Sequence, residues 1–306
     1  MLFRSRIMDY RVDCSTVIFN FSCDNIPVCK VPSGAQITIE TMDCFANQLQ
    51  TPEDTLDSMD WERVNPATGP IFVEGAQPGD VLKVEIKKIQ VSSQGVMATG
   101  ENEGTLGAHM QGLTCKIIPI KDNQVKFDSK ISIPLKPMIG VIGVAPREEK
   151  INCGTPGAHG GNMDNTMIGE GATLYLPIFT EGALFALGDV HAVMGDGEIG
   201  VSGVEVPAQV TVVLEVVKGL KMDNPVLENP EFFSTIASAL TLDEAIHQAT
   251  NDMAQILASR IKLSFPDIAM LMSAVGNTEI CQVVDPLRTG RFVMPKWVLS
   301  KYGFQL

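Results

Sequence analysis

Two short stretches hold most of the side chains that could do chemistry. The first reads Thr155-Pro156-Gly157-Ala158-His159-Gly160-Gly161-Asn162-Met163-Asp164-Asn165. Glycines around one imidazole let backbone approach a ligand closely and can leave amide N–H groups free, and Asn162 and Asp164 add polar heads nearby. The second reads Gly188-Asp189-Val190-His191-Ala192-Val193-Met194-Gly195-Asp196-Gly197-Glu198. A strand from Asp189 to Val193 puts Asp189 and His191 on one face and Val190 on the other, and the same parity joins Asp196 with Glu198 if the chain stays extended there. Four ionisable groups this close together between apolar segments are hard to explain by packing. Carboxylate plus imidazole on a rigid strand is what a borderline cation such as Zn²⁺ accepts, and spare carboxylates can orient a ligand or move a proton.

Other chemistries fit less well. His247 lies beside the apolar stripe of a helix, and His109 sits in an ordinary Gly-rich loop. Gly195-Asp196-Gly197-Glu198-Ile199-Gly200 matches GxGxxG, but strand-like Val201 to Val206 follows it where a dinucleotide site needs a helix, and its two acids would repel a pyrophosphate. No GxSxG elbow occurs. Cys153, next to the Gly-rich loop and near Glu149 and Lys150, is the remaining nucleophile candidate, and a bystander thiol is its bland alternative.

The elements that must position these residues are mostly strands. Apolar, β-branched runs at Ala35 to Thr41, Val81 to Ile89, Ile139 to Ala145, Ala172 to Phe179 and Val210 to Val217 are bounded by turns such as Val31-Pro32-Ser33-Gly34 and Gln77-Pro78-Gly79-Asp80. Helices come late. Thr241 with Glu244 has capping-box spacing, and Leu242, Ile246, Ala249, Met253, Leu257 and Ile261 mark one buried face. A second helix starts after Pro266, carries Ile268, Leu271, Met272 and Val275, and stops at Gly276. The expectation is one strand-rich α+β unit over residues 1–306 with a few mainly C-terminal helices.

The 306 residues carry 23 Lys plus Arg against 36 Asp plus Glu, a formal charge of −13. No basic cluster exists to hold phosphates, so neither nucleic acid nor an anionic membrane is an expected partner, whereas a neutral or cationic small molecule is. Seven scattered cysteines with no CxxC pair argue against a disulfide framework or a thiolate zinc site and fit a reducing cytoplasm. The N-terminus MLFRSRIMDYRVDCS lacks the apolar core of a leader, and no run is long enough to span a membrane.

At these residues the sequence resembles the acetamidase/formamidase family. His159-Gly160-Gly161-Asn162-Met163-Asp164 is similar to its HGGNMD loop, and Gly188-Asp189-Val190-His191 through Gly195-Asp196-Gly197-Glu198 to its GDxHxxxGDGE strand and turn. Asn65 to Asp80 resembles its TGP…VEGAxPGD segment, Glu40-Thr41-Met42-Asp43 its N-terminal acidic pair, and Gln282-Val283-Val284-Asp285 before Met294-Pro295-Lys296 its C-terminal pattern. The resemblance implies hydrolysis of a short linear amide, acetamide or formamide, to carboxylate and ammonia. It also implies a β-rich fold, a homo-oligomer (dimer or dimer of dimers) and a divalent metal, with zinc expected.

Amide hydrolysis requires a polarised carbonyl oxygen, hydroxide near neutral pH and a proton for the departing nitrogen. On this reading Asp43, Asp189 and His191 hold the metal, with His159 as a further ligand or a hydrogen-bond donor to the carbonyl. Glu198 is the first candidate to carry the proton and Asp164 the second, and Asn162 with the amides of Gly160 and Gly161 would stabilise the oxyanion. Two rival readings stand beside it: a metal- or ligand-binding β protein without turnover, and an amidohydrolase that uses Cys153.

Overall fold

A computed structural model describes residues 10–51, 53–54 and 59–306. The N-terminal leader reading falls largely on residues 1–9, outside the described residues. Among those described, no helix is long and apolar enough to cross a membrane.

The chain folds as a strand-rich α+β structure. Its largest sheet has nine strands in the order Tyr10–Val12, Ala35–Thr41, Ala208–Val217, Val81–Val91, Thr173–Pro177, Val226–Glu228, Phe232–Ala239, Arg288–Pro295 and Asn277–Gln282. All neighbours are antiparallel except the first pair. Alternation sets its faces: in Ala35–Thr41 every second residue is buried, with Ile37 and Ile39 pointing to the core. The turn into Val81–Val91 closes with Asp80 N–H donating to Gln77 C=O at 3.0 Å, as Pro78-Gly79 predicts.

A second sheet of six strands runs Gly160–Asn162, Met138–Gly143, Phe185–His191, Ala67–Val73 and Val17–Ile18, with Cys29–Val31 beside Ala67–Val73. Ile139, Ile142, Phe185 and Leu187 of this sheet share one core with Ile37, Val84, Val210 and Val212 of the larger one. The central strands Met138–Gly143 and Phe185–His191 are buried along their whole length. That burial leaves the polar groups on Phe185–His191 no solvent to turn to, so they need partners inside.

The helix Leu242–Arg260 begins with the expected box: Thr241 Oγ1 accepts from Glu244 N–H at 3.2 Å and Glu244 Oε2 accepts from Thr241 N–H at 3.2 Å. Ala249, Met253 and Leu257 pack on Phe233 and Met294 of the large sheet, where Phe265–Val275 adds Ile268 and Met272. His247 is exposed, as expected. The helices thus clamp the C-terminal strands and stay out of the region that gathers the acids.

Candidate active site

The strand Phe185–His191 delivers Asp189 and His191 to one buried point, as its parity predicts. Around His191 Nε2 stand Glu205 Oε2 at 3.1 Å, Asp189 Oδ1 at 3.3 Å, Asp164 Oδ1 at 3.8 Å and Glu198 Oε1 at 3.9 Å. Each comes from a different local device. Asp164 follows the strand Gly160–Asn162, Glu198 sits in the turn after Gly197, and Glu205 is held by paired backbone hydrogen bonds to Val96, both 2.9 Å. Asp285 is placed by Gln282, whose Oε1 accepts from the N–H groups of Val284 and Asp285 while its Nε2 donates to Leu287 C=O and Thr289 Oγ1.

Backbone strain and close approach concentrate here. Asp164, Asp189 and Glu198 have φ of 44°, 51° and 47°, a left-handed conformation that L-residues with a Cβ adopt at a cost and that gathers at functional sites. Opposite Asp189, a Cβ on Gly140 would stand 2.4 Å from Asp189 Oδ2 and 2.5 Å from Asp164 Oδ1. Glycine at 140 is what lets two carboxylates share that space. A Cβ on Gly203 would likewise lie 2.6 Å from His191 Nδ1, so bare backbone walls the imidazole.

The electrostatics follow from burial. It pushes Asp164 up to about 7, aided by the Asp189 charge and opposed by His191, and pushes Glu205 up to about 8. Burial and the Asp164 charge hold Glu198 and Asp285 well above the usual carboxylate range. Burial acts the other way on His191, but the carboxylates of Glu205 and Asp189 overcome it and hold the imidazole well above its ordinary pKa. Among the described residues no Lys or Arg forms an ion pair with these acids: Arg288 donates to the backbone C=O of Asp285 rather than to its carboxylate, and Arg291 pairs with Asp196 and Glu279. Both oxygens of Asp164, His191 Nδ1 and Glu205 Oε2 are buried without a hydrogen-bond partner. So many orphaned acceptors around one imidazole need protons or a cation, and two groups of side chains have ligand spacing: Asp164, His191 and Glu198, and Cys44, Asp189 and Glu205.

Other expected residues stand elsewhere. His159 joins neither ligand-spaced group: its ring packs edge-on against Phe21 at 5.2 Å, its Nε2 is buried without a hydrogen-bond partner, and burial lowers its pKa to about 4, so it stays neutral. Asp43 is also outside both groups, although its neighbour Cys44 is inside one. Its oxygens accept from Asn47 N–H at 2.8 Å and Gln50 Nε2 at 3.3 Å, and burial pushes it up to about 6. Asp196 and Glu198 part company because the chain turns at Gly197: Asp196 is exposed and pairs with Arg291, and Glu198 is buried. The Gly160 N–H is spent on Gly157 C=O at 3.1 Å, which removes it as an oxyanion donor. Asn162 donates to Asp285 Oδ2 at 3.1 Å. Cys153 is wholly buried, its thiol donates to Ile18 C=O, and burial holds it far from a thiolate, which disposes of the cysteine nucleophile.

The acids open onto a cavity of about 160 Å³. Asn162, Asp189, Glu198, Glu205 and Asp285 line it together with the apolar Phe45, Trp61, Val64, Leu113 and Val201 and the polar Asn65, Thr99 and Glu103. That is the space of roughly five waters, so only a molecule of a few heavy atoms fits. No local sequence pattern marks Cys44, Glu205 or the placement of Asp285 beside the centre, apart from a Glu inside the apolar run Val204-Glu205-Val206.

Among known proteins, the sequence matches the Acetamidase/Formamidase family over residues 15–154 and 150–260. The structure superposes with a TM-score of 0.96 on that of a recombinant predicted acetamidase/formamidase from Thermoanaerobacter tengcongensis, 57% identical and covering 98% of this chain and 99% of that one. An acetamidase structure from Bacillus halodurans gives 0.94 at 46% identity, covering 96% of this chain and 100% of that one. A Schizosaccharomyces pombe protein with a provisional formamidase name is 25% identical over 257 residues, and the match covers 61% of this chain and 61% of that protein. With the same fold and a family match over most of its length, the chain belongs to the acetamidase/formamidase family of amidohydrolases.

Proposed function

We propose that the chain hydrolyses short linear amides, acetamide or formamide, to carboxylate and ammonia with the help of a divalent cation, zinc fitting the donor set. One observation carries this reading: four carboxylates stand 3.1–3.9 Å from a single buried imidazole nitrogen, and three of them, Asp189, Glu198 and Glu205, line a small cavity that Phe45, Trp61, Val64, Leu113 and Val201 also line. Ligand atoms about 2.1 Å from a tetrahedral zinc stand roughly 3.4 Å apart, so these spacings resemble the edges of a coordination shell. His191, Asp164 and Asp189 would hold the cation, and the orphaned oxygens of Asp164 support that role. His159 and Asp43 are left out of the set. When bound, the cation supplies Lewis acidity toward a carbonyl oxygen and lowers the pKa of water.

The chain's own residues do the rest. Phe45, Trp61, Leu113 and Val201 receive the acyl group and, by leaving little room, exclude long chains. Asn162 lines the same cavity and offers an N–H to the carbonyl oxygen, while its bond to Asp285 fixes its orientation. Glu198 has ligand spacing with Asp164 and His191 but, unlike Asp164, lines the cavity, where it can take a proton at Oε1 or Oε2 from water and return it to the leaving nitrogen. The acidic floor also stabilises an ammonium product.

An ammonia-release panel over formamide, acetamide and longer linear amides tests the proposal. The expected result is release from the shortest members, abolished by chelator and restored by Zn²⁺. No release from any short amide at full metal content would leave a binding protein without turnover.

A further inference from the structure

The side of the centre away from Asp164 has its own donor set. Cys44, 7% exposed, brings Sγ within 4.8 Å of a carboxylate oxygen of Asp189 and one of Glu205. Glu205 is 1% exposed; its Oε1 accepts from Gly203 N–H at 2.8 Å, and its Oε2 is buried without a hydrogen-bond partner. Asp189 and Glu205 are also the two carboxylates nearest His191 Nε2. Two ligand-spaced groups therefore lie side by side, linked by those two residues.

Asp43, Asp164, Asp189, Glu198 and Glu205 are all buried and Asp285 adjoins them, a set that protons, the imidazole or cations must balance. A thiol and an imidazole among them make the donor set softer than one of oxygens alone, which favours zinc-like cations over magnesium.

We propose that the centre holds two divalent cations, one on His191, Asp164 and Asp189 and a second on Cys44 and Glu205, with Asp189 reaching both. This rests on the reading that the acidic centre is a metal site. Loading the second position forms a sulfur–metal bond and breaks the Cys44 S–H bond, the proton leaving to solvent. When both are bound, such a pair would supply Lewis acidity to a reacting oxygen from two ions instead of one.

The test is reconstitution of the full chain with Co²⁺, read by elemental analysis and by the near-ultraviolet thiolate-to-cobalt absorption. The expected result is two cobalt ions per chain and a thiolate band. Cys44→Ser should bind one ion and lose the band with its circular dichroism unchanged, and Cys281→Ser should keep both. One ion per chain without a thiolate band in the unmodified protein overturns the proposal whether or not the variants fold, as does a band that survives Cys44→Ser. One ion with chelator-sensitive ammonia release would sink the second cation and leave the amidase standing. Failure to bind any cobalt would remove the metal reading itself.

Discussion

At the scale of single residues, the centre depends on side chains that would be intolerable apart. Asp164 with two unpartnered oxygens, or Glu205 with one, would cost several kcal/mol in an apolar interior, and together they are tolerable only if something positive sits among them. Roles can be separated by which atoms reach the cavity. Glu198→Gln keeps the shape and much of the cation binding but removes the proton carrier, so turnover should fall by about 10² to 10⁴-fold at nearly unchanged metal content. A wild-type rate in that variant would take the role from Glu198. Asp189 and His191 were legible from alternation alone, since both hang from one strand. Cys44, Glu205 and Asp285 were not, because they come from segments far apart in sequence. Asp196 was misjudged because a turn, unlike a strand, does not conserve parity.

At the scale of elements, the buried pair of strands Met138–Gly143 and Phe185–His191 works as the rigid base of the site. Their register sets Ile139 against Val190 and Val141 against Gly188, which leaves Gly140 facing Asp189. Gly140→Ala puts a methyl where two carboxylates now sit, so metal content should drop and turnover fall by about 10²-fold, the scale expected of a small displacement at a reacting centre, with far-ultraviolet circular dichroism preserved. Full metal content and turnover would show that the carboxylates have slack the structure does not suggest. The elements themselves were largely legible. Ala35–Thr41 has its expected bounds, and the capping box and Gly276 stop delimit the two long helices because caps and periodicity are local signals. Strand ends moved by a residue or two, as with Met138–Gly143 against the expected Ile139 to Ala145, because pairing partners rather than local composition decide where a ladder stops.

At the scale of the whole molecule, the fold stores an electrostatic conflict that a bound cation would resolve. Burial pushes the carboxyls of Asp43, Asp164 and Glu205 up to about 6, 7 and 8, above unfolded values of about 4. A carboxyl raised in the fold binds more protons folded than unfolded, so its contribution to stability is complete below about pH 4 and is lost as pH climbs through about 6 to 8. Metal-free Tm should therefore fall between about pH 5 and pH 8. A cation takes the place of those protons, so the gap between loaded and metal-free Tm should widen over the same range, and a gap independent of pH in calorimetry would contradict this source of stability. Convergence at this scale was the least legible part of the sequence. The HGGNMD loop brings Asp164 beside His191 and packs His159 against Phe21, a division made by three-dimensional packing and by no local pattern.

The most direct measurement is anomalous scattering from a crystal of the purified protein, collected on either side of the zinc absorption edge. A peak is expected about 2.0–2.2 Å from His191 Nε2 and from carboxylate oxygens of Asp164 and Asp189. A crystal of metal-loaded protein with no peak there, or with its cation beside His159 instead, would contradict it.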